Sequence, residues 1–156
     1  TVLILVDVQN VYYTTRQAFN RRFDYNTFWS SVTSEGQVVK AIAYAIDRGD
    51  KKQREFQNIL RVIGFEVKLK PFIQRSDGSA KGDWDVGITI DIMASVAAVD
   101  EVVLLSGDGD FALLLEHIRD HHQTQSHVYG VPDLTANALI NAATEYTPIH
   151  PKWLQS

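Results

Sequence analysis

The chain has 156 residues, 45% hydrophobic and 22% charged, with a net charge of −4. That fits one globular α/β-sized domain over residues 1–156 and excludes a disordered or membrane-embedded chain. It has no cysteine, which removes disulfide frameworks, thiolate zinc sites and cysteine nucleophiles together.

Taken in chain order, the run from Val2 to Val8 reads as a buried strand, interrupted by Asp7. It is too short, and too soon charged, for a signal peptide or a membrane span, so a cytoplasmic location is expected. Tyr12, Tyr13, Phe19 and Phe23 follow, interleaved with Arg16, Arg21 and Arg22. Such a set can stack and clamp a single nucleic-acid strand, although aromatics like these more often pack a core. Further apolar, β-branched runs at residues 38–46, 65–72, 102–106 and 126–129 predict four more strands. Helical spacing predicts helices over residues 54–63, 86–99, 111–121 and 135–143. Residues 74–81 (QRSDGSAK), with an Asp77-Gly78 turn signal, predict a mobile surface loop. Trp153 is expected to pack the tail down.

Strands apolar on both faces, alternating with helices, predict a three-layer α/β/α fold: an open, doubly wound parallel sheet of about five strands. In such sheets ligands sit beyond the carboxyl ends of the strands, where the strand order reverses. Asp7 lies at the end of the first strand. Asp108 and Asp110 directly follow the fourth, in Ser106-Gly107-Asp108-Gly109-Asp110-Phe111. Asp83 and Asp85 open the helix after the loop, in Lys81-Gly82-Asp83-Trp84-Asp85. Taken singly, Asp83, Asp85 or Asp110 could be only a helix N-cap. Asp7 closes an apolar strand, where a carboxylate needs a compensating partner or a metal. Asp108 and Asp110 repel one another unless a cation intervenes, and the bracketing glycines permit unusual backbone angles. Clustered aspartates without Cys or a suitable His set favour Mg²⁺ or Mn²⁺ over Zn²⁺.

Charge is also uneven along the chain. Residues 1–81 carry 13 Lys/Arg against 8 Asp/Glu, and residues 82–156 carry 2 against 11. A phosphate-binding rim beside a carboxylate pocket accounts for this, as does charge scattered over a solvated surface.

Three motifs in order then resemble the NYN domain, the LabA-like (DUF88) branch of the PIN-like nuclease superfamily. They are Asp7-Val8-Gln9-Asn10, the stretch from Lys81-Gly82 through Asp85-Val86 to Asp91, and Ser106-Gly107-Asp108-Gly109-Asp110-Phe111. The resemblance implies a PIN-like sheet ordered 3-2-1-4-5, a magnesium or manganese site and RNA cleavage. It implies Asp7, Asp85 and Asp108 as metal ligands, with Asp110 assisting directly or through water. Asn10 would hydrogen-bond a ligand carboxylate or a coordinated water, Lys81 would meet substrate phosphate, and Ser106 would support the loop. Asp83 and Asp91 rank lower. Asp91 follows Asp85 by six positions, roughly 240° around a helix, so the two cannot share a face. Near the end, where family members often carry an Asp before the last aromatic pair, this chain has Thr144 and Glu145.

The helix-spaced pair His117 and His121 lacks the zincin glutamate pattern, and no P-loop or dinucleotide fingerprint occurs, so no nucleotide cofactor is expected. The expected function is a Mg²⁺/Mn²⁺-dependent ribonuclease acting on single-stranded or structured RNA. The alternative is a non-catalytic RNA- or protein-binding regulatory domain that keeps the acidic pocket. No membrane partner is expected, and the pattern dictates no oligomeric state.

Overall fold

Residues Leu3, Ile4, Leu5 and Val6 are fully buried, because the strand they form is covered on both faces. The computed structural model containing this strand describes residues 1–34, 36–71, 73–74, 80–81 and 83–155, with backbone alone at 71, 73, 74, 80 and 81. In chain order the elements are β1 (Val2–Asp7), α1 (Val8–Phe19), α2 (Tyr25–Thr33), β2 (Val38–Asp47), α3 (Lys51–Ile63) and β3 (Glu66–Pro71). A short antiparallel hairpin follows, β4 (Ile73–Gln74) with β5 (Ala80–Lys81). Then come α4 (Asp85–Ser95), β6 (Glu101–Leu105), α5 (Ala112–His122), β7 (Gln125–Gly130), α6 (Asn137–Ala142) and β8 (Glu145–Pro148).

The main sheet is six-stranded and wholly parallel, in the order β3-β2-β1-β6-β7-β8. Counted along the main sheet this is the expected 3-2-1-4-5 arrangement extended by one edge strand. Strand β1 alternates its side chains between the two layers. Ile4 and Val6 meet α1, α2, α3 and the tail through Val11, Phe28, Leu60 and Trp153. Leu3 and Leu5 meet α4, α5 and α6 through Ile88, Ile92, Leu115 and Leu139. Each such side chain, taken wholly out of water, contributes roughly 1.5–3 kcal/mol. Trp153 does hold the tail: its ring lies edge-on to Phe28 and Tyr129, and its indole N–H donates to Ser31 Oγ at 3.2 Å.

Two helices (α1 and α2) and three short strands depart from the expected elements: β8, and the hairpin β4–β5, whose Gln74, Ala80 and Lys81 lie where the sequence predicts a loop. Helix α1 starts with no intervening turn, because Asp7 both ends β1 and caps α1, its side chain accepting from Asn10 N–H at 3.3 Å. Asp24 caps α2 in the same way. Strand β8 is short and half-exposed, so it carries no continuous apolar run. The turn expected at Asp77-Gly78 lies outside the described residues. No helix of the described residues is long and apolar enough to cross a membrane.

Candidate metal centre

Sheet order reverses between β1 and β6, which lie side by side with Val6 opposite Leu105. Asp7 ends β1, the loop leaving β6 carries Asp108, and α4 brings Asp85 to the same edge. One carboxylate oxygen from each of Asp85, Asp108 and Asp110 lies within 4.8 Å of the others. Asp7 stands outside this closest group but adjoins it, since its charge acts on Asp85 and that of Asp108 acts on Asp7.

Close carboxylates disfavour one another's ionisation. Burial, followed by a close side-chain contact and the charge of Asp108, then the charges of Asp83 and Asp7, pushes the Asp85 carboxyl up to about 7. Asp7 is pushed up to about 6, chiefly by burial; the Asn10 N–H opposes this and the charges of Asp108 and Asp83 add to it. Among the described residues no lysine or arginine forms an ion pair with Asp7, Asp85, Asp108 or Asp110.

The loop after β6 is held by hydrogen bonds from three directions. Asn10 Oδ1 accepts from Gly107 N–H at 3.0 Å, tying α1 to a loop 97 positions away. Buried Ser106 accepts from Asp108 N–H through Oγ at 3.2 Å, and Gly107 C=O accepts from Ala136 N–H at 3.0 Å. Asp108 in turn accepts from Asp110 N–H at 2.9 Å and so caps the single 3-10 turn Gly109–Phe111.

Two expectations need correction. Gly107 and Gly109 do not take left-handed backbone angles; among the described residues the positive-φ glycines are Gly49 and Gly64. They are small because the chain before α6 passes so close: a Cβ on Gly107 would lie 2.6 Å from Leu134 C=O, and one on Gly109 2.8 Å from Ala136 Cβ. Capping also falls on other acids than Asp85 and Asp110, since Asp7 and Asp108 are the caps. The N-cap position of α4 is Trp84, which makes no side-chain cap bond, while Asp83 Oδ1 accepts from Asp85 N–H at 3.3 Å.

Sequence reading passed over Trp84, which sets the position of Asp85. Its indole N–H donates to Ala45 C=O at 2.9 Å, and its ring packs against Gly87, where a Cβ would come within 2.5 Å. Lys70 Nζ lies 4.6 Å over that ring and donates to Asp83 C=O at 3.0 Å. Only the adjacent Gly87 hinted at this seat. Asp91 lies apart from the cluster, its Oδ2 accepting from Tyr44 O–H and Lys68 Nζ, each at 2.8 Å. Lys81 is described in backbone only, so its side chain is outside the described set. His117 and His121 are exposed on α5 with ring centroids 4.6 Å apart, and neither joins the acidic group. Of the terminal pair, Thr144 Oγ1 accepts from Ser126 N–H at 2.9 Å, and Glu145 lies 3.6 Å from His127.

The chain is similar to two other proteins along nearly its whole length. A crystal structure of a protein of unknown function from Vibrio parahaemolyticus superposes with a TM-score of 0.94 at 56% identity, over 99% of this chain and 95% of that one. The Low amplitude and bright protein LabA of Synechococcus elongatus is 31% identical over 94% of this chain and 82% of its own length. The NYN domain family model matches residues 1–150, from the first residue of the chain to just past β8. A match that takes in all six main-sheet strands and every carboxylate at their edge leaves one conclusion: the chain belongs to the NYN domain family, within the PIN-like nuclease superfamily.

Proposed function

We propose that this chain is a divalent-metal-dependent ribonuclease acting on RNA in the cytoplasm, with Asp85, Asp108 and Asp110 as the metal-holding group and Asp7 beside them. The observation that carries this reading is the convergence of three carboxylates within 4.8 Å with no basic partner among the described residues. The donor set fits Mg²⁺ or Mn²⁺: hard oxygen ligands and no thiolate or imidazole at the cluster. A divalent ion bound there supplies Lewis-acid charge for a phosphoryl group and lowers the pKa of nearby water.

The chain's own residues provide the rest. The Asp85 carboxyl, pushed up to about 7, holds a proton that a bound metal would have to displace, so affinity is expected to rise with pH towards neutrality. Asp7 adjoins the cluster and is the carboxylate outside the metal-holding group, placed to accept a proton from an attacking water. Asn10, Ser106 and Asp83 are positioning residues, fixing Gly107, Asp108 and Asp85 through the backbone bonds described above.

The test is cleavage of single-stranded RNA in Mn²⁺ or Mg²⁺, where Asp108→Asn is expected to slow the reaction at least about a hundredfold. Equal rates in the two proteins would remove the reading. RNA bound with equal affinity by both proteins and cut by neither would assign the pocket to a non-catalytic RNA-binding domain.

A further inference from the structure

Helix α1 starts at the acidic cluster and leaves two large aromatic side chains in water. Tyr12 is 46% exposed and Tyr13 51%, whereas Phe23, the last aromatic of the same stretch, is 5% exposed and belongs to the core. Their rings meet edge-to-face at 5.4 Å. Arg16 Nη1 donates to Tyr12 O–H at 2.8 Å, and its guanidinium carbon lies 5.8 Å from that ring's centre. At about 1.5 Å of rise per residue, Tyr13 stands about 9 Å along the helix from Asp7.

Exposed basic side chains flank the cluster on the same side. Asp7 pairs with Tyr44 in the sheet register, and β2 runs three residues further to Asp47. At about 3.3 Å per residue, the chain leaving β2 therefore starts about 10 Å beyond the level of Asp7 along the strands. It carries Lys51, Lys52 and Arg54 at the amino end of α3, all exposed and none in an ion pair among the described residues. The opposite flank differs. Between β7 and α6, residues 131–136 carry Asp133 and no lysine or arginine.

We propose that an unpaired RNA segment next to the scissile phosphate lies across the first turns of α1 and α3, its bases on Tyr12 and Tyr13 and its phosphates on Lys51, Lys52 and Arg54. The segment is single-stranded because a tyrosine ring can cover a base only where no neighbouring pair already covers it. Flanking cations match a polyanion, and their one-sided placement fixes which side of the cut site the protein grips. The inference rests on the ribonuclease reading for the identity of the cluster, but its readout does not.

Binding is measured by fluorescence anisotropy in the Asp108→Asn background, with a labelled uridine-rich single strand and a labelled RNA duplex. Tyr12→Ala with Tyr13→Ala is expected to weaken the single strand roughly tenfold or more and leave the duplex nearly unchanged, while Phe at both positions retains binding. Lys51→Gln with Lys52→Gln is expected to lower the slope of log affinity against log salt by about 1. Unchanged affinity in the alanine pair at parental melting temperature overturns the proposal, as does equal loss for the duplex or a parent that binds no single strand. A parent that binds the strand through these tyrosines and whose wild type never cuts it removes the nuclease reading alone. A wild type that cuts, with tyrosine variants that bind as before, removes this proposal alone.

Discussion

Helix α4 carries two aspartates, six positions apart, that meet opposite electrostatic fates. Asp91 is partly buried, which by itself disfavours its charge, yet hydrogen bonds from Lys68 and Tyr44 and the lysine's charge hold its carboxyl below the ordinary value. Asp85 is also partly desolvated, but its neighbours are Asp108, Asp83 and Asp7, and its carboxyl is pushed up to about 7. One carboxylate is neutralised within the fold and the other, among the described residues, has no basic partner. A structural acid comes with its counter-ion built in; an acid whose counter-ion must come from outside points to a binding site.

The widest separation between the two should appear in activity. Asp85→Asn is expected to reduce Mn²⁺-dependent RNA cleavage at least about a hundredfold, while Asp91→Asn stays within a few-fold of the parent. Comparable losses in single-turnover rates would erase the distinction between them.

A smaller effect separates them in stability. A carboxyl whose folded pKa is raised binds more protons folded than unfolded, so its ionisation costs stability as pH rises from about 4 through the folded value. The metal-free protein should therefore lose melting temperature between about pH 5 and pH 8 on account of Asp7 and Asp85, and Mn²⁺ should flatten that slope. At pH 8, Asp7→Asn should raise the metal-free stability by on the order of 1 kcal/mol after screening, because asparagine still caps α1. A melting temperature that falls instead would show that the carboxylate already has a counter-ion.

The smallest effect has the opposite sign. Asp91→Asn weakens the contact to Lys68 and should cost about 0.5 kcal/mol at neutral pH, the pair being partly exposed. Since the Asp91 pKa is lowered on folding, its contribution is present above about 4 and lost as pH falls through the folded value. Thermal melts of both proteins at neutral pH and below pH 4 should converge at the acid end.

Most of the scaffold could be read in the residues. Runs such as Val38–Asp47 are apolar on both faces because parallel strands are covered twice, and that pattern needs no knowledge of neighbours. Helix α1 was missed because the same aspartate ends one element and starts the next, with no turn residue between. Strand β8 was missed because an edge strand half in water needs no apolar run. The separation of Asp85 from Asp91 was foreseen too, since six residues of α-helix put side chains on different faces.

Local sequence, then, determined five of the six main-sheet strands, most helices and which acids stand at the carboxyl edge of the sheet, because periodicity and capping act over a few residues. Only the tertiary structure decided the partners. Lys68 reaches Asp91 across 23 positions and Asn10 reaches Gly107 across 97, and Leu134 is what leaves no room for a side chain at Gly107. Whether a carboxylate is matched with a cation depends on distances through space between strands far apart in the chain, and no local pattern records them.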